Sequence, residues 1–180
     1  MIGVCLVGAG RAGMIHARNF ASRIPGVKMT AVADTMEDSA KRAAEELDGI
    51  YYTTDYKQAL QRPDVDAVIV VTPTKYHIDV VLEAARAGKH VLCEKSITLN
   101  GSELAKAQKL AIDHQVILAE AMTLYHMPIY KELRKRMERG DLGGLRMVQM
   151  NFGSYKEYDM NNRFFNPSLA GGALLDIGVY

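Results

Sequence analysis

Short apolar runs alternate with longer amphipathic stretches through the first two thirds of the chain. Runs that are apolar on both faces predict buried strands over Ile2–Val7, Val27–Ala33, 67–71, His90–Cys93 and 116–119. Helical periodicity predicts helices over 12–23, 36–47, 76–87 and 101–114. Tyr51 and Tyr52 favour one more short strand. Because the early strands are each followed by a helix, we predict an α/β fold with a doubly wound parallel sheet.

Capping residues indicate where these helices begin and end. Thr35 can cap the helix over 36–47, and Asn100 can cap the helix over 101–114, with Glu103 at its N3 position. Gly88 is a natural end for the helix over 76–87. The polar residues at the boundaries therefore agree with the apolar pattern inside the elements.

The pattern changes after about residue 121. A basic amphipathic helix is predicted over 128–139, closed by Gly140, and strict alternation over 145–152 is typical of an antiparallel strand with one exposed face. A polar loop over 153–170 and an apolar helix over 171–180 follow. We therefore predict one domain over 1–121 and the beginning of a second, α+β domain with a mostly antiparallel sheet over 122–180.

A glycine-rich segment follows the first predicted strand and opens the first predicted helix. Gly8, Gly10 and Gly13 match the pattern G-x-G-x-x-G. The first glycine permits a tight turn, the second lets the backbone approach a pyrophosphate, and the third lets the helix pack closely on the strand. The free N–H groups of the helix start, around Arg11 and Ala12, would face the phosphates. The segment predicts a dinucleotide site, the alternative being a turn that only packs tightly.

Asp34 stands at the end of the second predicted strand, 21 residues after Gly13. A carboxylate there can accept hydrogen bonds from the hydroxyls of the adenosine ribose and repels a 2′-phosphate. We therefore expect NAD as the cofactor, with NADP left open because neighbouring side chains can reverse this preference.

Polar residues also follow the later strands, where parallel sheets bind ligands. Thr72 and Pro73 leave the central strand, and His77 follows them; Glu94 and Lys95 leave the next strand. We predict that these five residues contact the cofactor. On spacing alone, the two charged residues are equally well explained as a solvated loop. For His77 taken alone, a histidine that packs its helix is the favoured interpretation.

Asp176 and Tyr180 lie four residues apart and would share one face of the last helix. A tyrosine beside a lysine is a plausible proton donor and acceptor, since a nearby cation favours the phenolate. The alternative is an apolar helix with one polar stripe.

Composition narrows the function classes. With 22 Lys+Arg against 21 Asp+Glu, the formal net charge of +1 argues against a nucleic-acid partner. No apolar stretch is long enough to cross a membrane, and the five histidines show no metal-ligand spacing. Cys5 and Cys93 each lie in an apolar run, so we expect free thiols and a cytoplasmic location.

Taken in order, these segments resemble the glucose–fructose oxidoreductase/inositol dehydrogenase/MocA family. The resemblance rests on the glycine segment, the Thr72-Pro73 turn with His77, the run 87–95 and the segment 171–180. It is greatest to the branch that holds dimeric dihydrodiol dehydrogenase and D-xylose dehydrogenase. It implies a Rossmann domain, followed by the start of a substrate domain with an open-faced sheet. It also implies an NAD(P)-dependent oxidoreductase of sugars, polyols or diols that works as a homo-oligomer.

The resemblance also implies residue roles. Lys95 would hold and polarise the reacting hydroxyl, Tyr180 would be the general acid/base, and Asp176 would orient the substrate. Arg163 and Tyr125 correspond to residues of the substrate pocket. Ser96, Thr74 and Tyr125 depart from the residues usual in the family, which are proline, asparagine and arginine, so the substrate pocket should differ. The alternatives to an enzyme are a non-catalytic NAD(H)-binding regulator and a structural subunit of the same fold.

Overall fold

The computed structural model describes residues 1–179, which form two compact units. The first is Met1–Glu120, and the second begins at Ala121. Tyr180 lies outside the described residues, so the predicted role of Tyr180 has no structural counterpart here. None of the described helices is long and apolar enough to cross a membrane.

A six-stranded, fully parallel sheet forms the centre of the first unit. Its strands are β1 (Ile2–Val7), β2 (Val27–Ala33), β3 (Tyr51–Thr53), β4 (Ala67–Val70), β5 (His90–Cys93) and β6 (Leu118–Glu120). Their order across the sheet is β3-β2-β1-β4-β5-β6, with every neighbouring pair parallel. The doubly wound prediction is therefore confirmed. The chain reverses its direction of winding between β1 and β4, and ligands bind beside such a reversal in open α/β sheets.

Helices connect the strands and cover both faces of the sheet. They are α1 (Arg11–Ser22), α2 (Glu37–Glu46), α3 (Tyr56–Leu60), α4 (His77–Arg86) and α5 (Gly101–Asp113). The short helix α3 was not predicted, because its five residues are too few to show a helical period. Its cap is the carboxylate of Asp55, which accepts a 2.9 Å hydrogen bond from the backbone N–H of Lys57.

The two predicted N-terminal caps had opposite outcomes. Asn100 caps α5, since its side-chain oxygen accepts a 3.0 Å hydrogen bond from the backbone N–H of Glu103. The prediction for Thr35 is wrong: α2 starts one residue later, at Glu37, and Met36 precedes it without a side-chain cap. The turn is held instead by Asp34, whose carboxylate accepts a 2.9 Å hydrogen bond from the backbone N–H of Met36.

Strand β1 shows why the sheet is buried on both faces. Cys5 and Val7 pack into one apolar cluster, whereas Val4 and Leu6 pack into the cluster on the opposite face. All four are at most 3% exposed. Both cysteines are free, and burial raises the pKa of the Cys5 thiol to about 12 and raises the pKa of Cys93 as well. These thiols are therefore neutral core side chains.

The second unit contains the helices α6 (Pro128–Glu138) and α7 (Ala173–Asp176). The strand predicted over 145–152 is wrong: these residues form no strand, and all are exposed. A strand needs a neighbour for its hydrogen bonds, and the described residues of this unit contain none. The helix predicted over 171–180 is shorter than expected, spanning Ala173–Asp176. It begins only after Gly172, which has a φ of +118°.

Candidate functional site

The glycine segment between β1 and α1 lies against the chain that leaves β4. Gly8 has a φ of +100°, and a Cβ there would lie 2.6 Å from the carbonyl oxygen of Val71. A Cβ on Gly13 would overlap the carbonyl oxygen of Gly8, so the helix approaches the turn as closely as the backbone permits. At Gly10, by contrast, a Cβ would meet no protein atom within 4 Å. The turn is therefore packed tightly on its inner side and open at Gly10.

Asp34 anchors this turn from the end of β2. Its carboxylate accepts a 2.7 Å hydrogen bond from the backbone N–H of Ala9 through Oδ2, and a bond from Met36 through Oδ1. Each carboxylate oxygen has two acceptor positions, so capacity remains for a ligand hydroxyl. The structure thus brings Asp34 and the glycine segment together, as their spacing predicted for a dinucleotide site.

A buried hydroxyl at the end of β4 has no partner within residues 1–179. Thr72 Oγ1 is out of contact with solvent and makes no hydrogen bond there. Buried polar groups are normally paired, so an orphaned hydroxyl at a ligand-binding edge points to a missing partner. Together with the open space at Gly10 and the N-terminus of α1, this hydroxyl makes the edge chemically suited to a dinucleotide.

His77 connects the loops that follow β4 and β5. The side chain is 1% exposed, with Nδ1 2.7 Å from the carbonyl oxygen of Ser96 and Nε2 2.7 Å from that of Thr72. A neutral imidazole donates from one nitrogen only, and the doubly protonated ring donates from both. His77 thus lies at the predicted edge, but both of its nitrogens face the backbone. Its contact with a cofactor stays a prediction.

The loop after β5 carries Glu94 and Lys95, and it is held from several sides. Glu94 Oε1 lies 2.8 Å from Nε2 of His16 on α1. On the far side, the carboxylate of Glu120, at the end of β6, accepts a 3.0 Å hydrogen bond from the backbone N–H of Ile97. The Lys95–Ser96 peptide bond is cis. Lys95 is partly buried at the carboxyl edge of the sheet, where the sequence predicted it.

Sequence reasoning missed His16 as a site residue. Its imidazole keeps the pKa of Glu94 below the usual range, and the backbone N–H of Lys95 adds to that effect against partial burial. One signal in the sequence could have identified it. His16 follows Gly13 by three residues and precedes Ala17 by one, so it lies beside the stripe by which α1 packs on the sheet.

The second unit brings two other predicted residues together. Arg163 Nη1 lies 3.9 Å from Oδ1 of Asp176. The glycine pair before α7 makes this possible, because a Cβ on Gly171 would lie 2.5 Å from the carbonyl oxygen of Arg163. Gly172 also donates a 2.9 Å hydrogen bond to the carbonyl oxygen of Phe164. The segment before α7 is therefore folded tightly onto the loop that carries Arg163.

Tyr125 lies in a short 3₁₀ turn and is 70% exposed. Lys95 belongs to the first unit, whereas Arg163, Asp176 and Tyr125 belong to the second. No group of three or more His, Cys, Asp or Glu side chains within residues 1–179 is arranged to hold a metal ion.

Comparison with known proteins identifies two family models along the chain. Residues 2–122 match the GFO_IDH_MocA model, described as an oxidoreductase family with an NAD-binding Rossmann fold. Residues 130–180 match the GFO/IDH/MocA C-terminal domain.

Individual relatives agree with these models. The uncharacterized oxidoreductase YrbE of Bacillus subtilis is 34% identical over 97% of this chain and 50% of its own length. The D-xylose 1-dehydrogenase (NADP(+)) of Hypocrea jecorina is 32% identical over 86% of this chain and 43% of its own. The chain thus spans about half the length of the curated relatives it matches.

Among solved structures, a scyllo-inositol dehydrogenase from Lactobacillus casei with bound NAD(H) and scyllo-inositol is similar. It is 28% identical, covers 79% of this chain and 42% of its own, and superimposes with a TM-score of 0.75. Since the first family model also covers more than half of the sequence, the chain belongs to the Gfo/Idh/MocA oxidoreductase family and carries its NAD-binding Rossmann fold.

Proposed function

We propose that the protein is an NAD(P)-dependent oxidoreductase that transfers a hydride between nicotinamide and a CH–OH carbon of a sugar, polyol or diol. The observation that carries this proposal is the shared location of the glycine turn, Asp34 and Lys95 at one edge of a parallel sheet, around its point of reversal. Relatives support the substrate class, because one is named as a D-xylose 1-dehydrogenase and another as a scyllo-inositol dehydrogenase.

For the cofactor, the backbone of the Gly8–Gly13 turn and the N-terminus of α1 would receive the phosphates. Asp34 would accept hydrogen bonds from the hydroxyls of the adenosine ribose and would repel a 2′-phosphate, which favours NAD over NADP. The orphaned hydroxyl of Thr72, next to Pro73, offers a further hydrogen bond from the central loop. The cofactor supplies the hydride acceptor or donor, and these residues bind and orient it.

For the substrate, the ammonium group of Lys95 would donate a hydrogen bond to the reacting oxygen and stabilise negative charge on it. Tyr180 would accept or return the hydroxyl proton. Asp176, paired with Arg163, would orient neighbouring hydroxyls, and Tyr125 would contribute to the pocket. These roles rest on the family resemblance. So does assembly as a homo-oligomer, whereas the two buried free cysteines support a cytoplasmic location.

Steady-state assays of the complete protein test this proposal. They follow the reduction of NAD⁺ and of NADP⁺ with each member of a panel of aldoses, inositols and trans-diols. We expect turnover with at least one of them, and a loss of about a hundredfold or more in kcat for Lys95→Ala and Tyr180→Phe. Lys109→Ala is the matched control, because this exposed lysine pairs with Asp113 on α5, away from the sheet edge. Tight NADH binding without turnover on any substrate would instead favour the non-catalytic regulator.

A further inference from the structure

A polar contact joins the helix that starts at the glycine turn to the loop that carries Lys95. His16 lies in the second turn of α1, and Glu94 follows β5 directly; Nε2 and Oε1 are 2.8 Å apart. Their side chains are 21% and 24% exposed, so the contact is largely shielded from water. Such a contact is stronger and less screened by salt than an exposed ion pair.

Glu94 also contacts the next residue, Lys95. Its second carboxylate oxygen, Oε2, accepts a 3.2 Å hydrogen bond from the backbone N–H of Lys95. The carboxylate is therefore held between an imidazole on α1 and the backbone of the lysine. The lowered pKa of Glu94 agrees with this geometry, because hydrogen bonds to the charged form favour that form.

In the proposed function, the two ends of this connection would serve different halves of a dinucleotide. The N-terminus of α1 is where the phosphates would bind, and the loop after β5 carries the lysine assigned to the reacting end. The first and second turns of a helix move together, because backbone hydrogen bonds join them. A shift of the β5 loop relative to the phosphates would therefore have to break the His16–Glu94 contact.

We propose that His16 is a positioning residue, which fixes the loop of Glu94 and Lys95 relative to the phosphate-binding helix and so couples the binding of the two halves of the cofactor. This inference rests on the proposed function, since it needs a dinucleotide at this edge. The alternative is that the pair only stabilises the fold, as Arg18 does on the same helix. Arg18 bonds Glu46 of α2 at 2.6 Å, on the exposed surface.

Isothermal titration calorimetry of the purified chain with ADP and with NADH separates these cases. ADP has the adenosine ribose and two phosphates but lacks the nicotinamide half. The dissociation constant of ADP divided by that of NADH therefore measures how much affinity that half adds. We expect His16→Ala to reduce this ratio about tenfold and to change the ADP dissociation constant less than twofold. Glu94→Gln should have a similar effect, and His16→Gln, which keeps a hydrogen-bond donor, should restore part of the ratio.

Arg18→Ala is the matched control, because it removes a carboxylate contact from the same helix without touching the β5 loop. Its ratio should equal that of the wild type. An unchanged ratio in His16→Ala, whether both ligands bind as in the wild type or both are weakened equally, would overturn the positioning role while leaving the cofactor site intact. If the wild type binds neither ADP nor NADH, the proposed function fails together with this inference.

Discussion

The carboxylate of Asp34 accepts a 2.7 Å hydrogen bond from the backbone N–H of Ala9, and so joins the end of β2 to the glycine turn after β1. The same carboxylate holds the backbone N–H of Met36 at 2.9 Å. One side chain therefore shapes the turn, and in the proposed function its negative charge would distinguish a ribose hydroxyl from a 2′-phosphate.

Asp34→Asn should weaken NADH binding about tenfold and weaken NADPH binding less. Asparagine keeps only one acceptor oxygen, so its amide would face one of the two backbone N–H groups, and it no longer repels a 2′-phosphate. Fluorescence titration with both reduced cofactors measures the change in preference. Glu45→Gln makes the same charge change at an exposed position of α2 and should leave both affinities alone. If Asp34→Asn leaves the ratio of the NADPH and NADH affinities unaltered, Asp34 does not select between the two cofactors.

Two alanine substitutions in the glycine turn should separate stability from cofactor binding. A Cβ at Gly13 overlaps the Gly8 carbonyl, so Gly13→Ala should lower the free energy of unfolding by about 1–3 kcal/mol. A Cβ at Gly10 meets no protein atom within 4 Å, so Gly10→Ala should fold normally. It should nevertheless weaken NADH binding about tenfold, because the new Cβ would stand where the pyrophosphate approaches the backbone.

Urea unfolding and NADH titration of the same samples distinguish the two effects. Gly101→Ala is the control, because position 101 begins α5 with no atom within 4 Å of a new Cβ. Wild-type NADH affinity in Gly10→Ala would mean that the pyrophosphate does not approach this part of the turn.

The sequence predicted those parts of the molecule that local patterns determine. The strands are apolar on both faces, as Val4, Cys5, Leu6 and Val7 show, and this property alone indicates a buried parallel sheet. The glycine turn and Asp34 were predictable because a strand, a turn and a helix place them within one continuous unit.

Contacts between distant residues could not be predicted in this way. His16 and Glu94 are 78 positions apart, and His77 and Ser96 are 19 apart, so neither contact leaves a periodic signal. The alternation over 145–152 misled for a related reason. It describes a strand that could form, but a strand forms only when another supplies hydrogen bonds.

His77→Leu should destabilise the first unit and also weaken NADH binding. The substitution removes the imidazole that lies between the carbonyl oxygens of Thr72 and Ser96. A carbonyl that loses its hydrogen bond and stays buried costs about 1–3 kcal/mol. The loops after β4 and β5 would then lose their fixed separation. Urea unfolding and NADH titration measure both effects. His114→Ala, at the exposed end of α5, is the control and should change neither. Wild-type stability in His77→Leu would show that the loops are held by other contacts.

Glu94 should make stability depend on pH in the acidic range. Its pKa in the folded protein is lowered from 4.5, first by the His16 hydrogen bond. A carboxyl group with a lowered folded pKa contributes stability that is fully present above its unfolded pKa and is lost as pH falls through the folded value. The stability of the wild type relative to Glu94→Gln should therefore be constant above about pH 6 and shrink below about pH 4.5.

Urea unfolding of both proteins at a series of pH values measures this difference. The same comparison in a His16→Ala background provides the control, because the largest cause of the lowered pKa is then absent and the pH dependence should be smaller. A difference that grows on acidification, or one that is equal in the two backgrounds, would contradict the assignment of His16 as the partner that stabilises the charged form of Glu94.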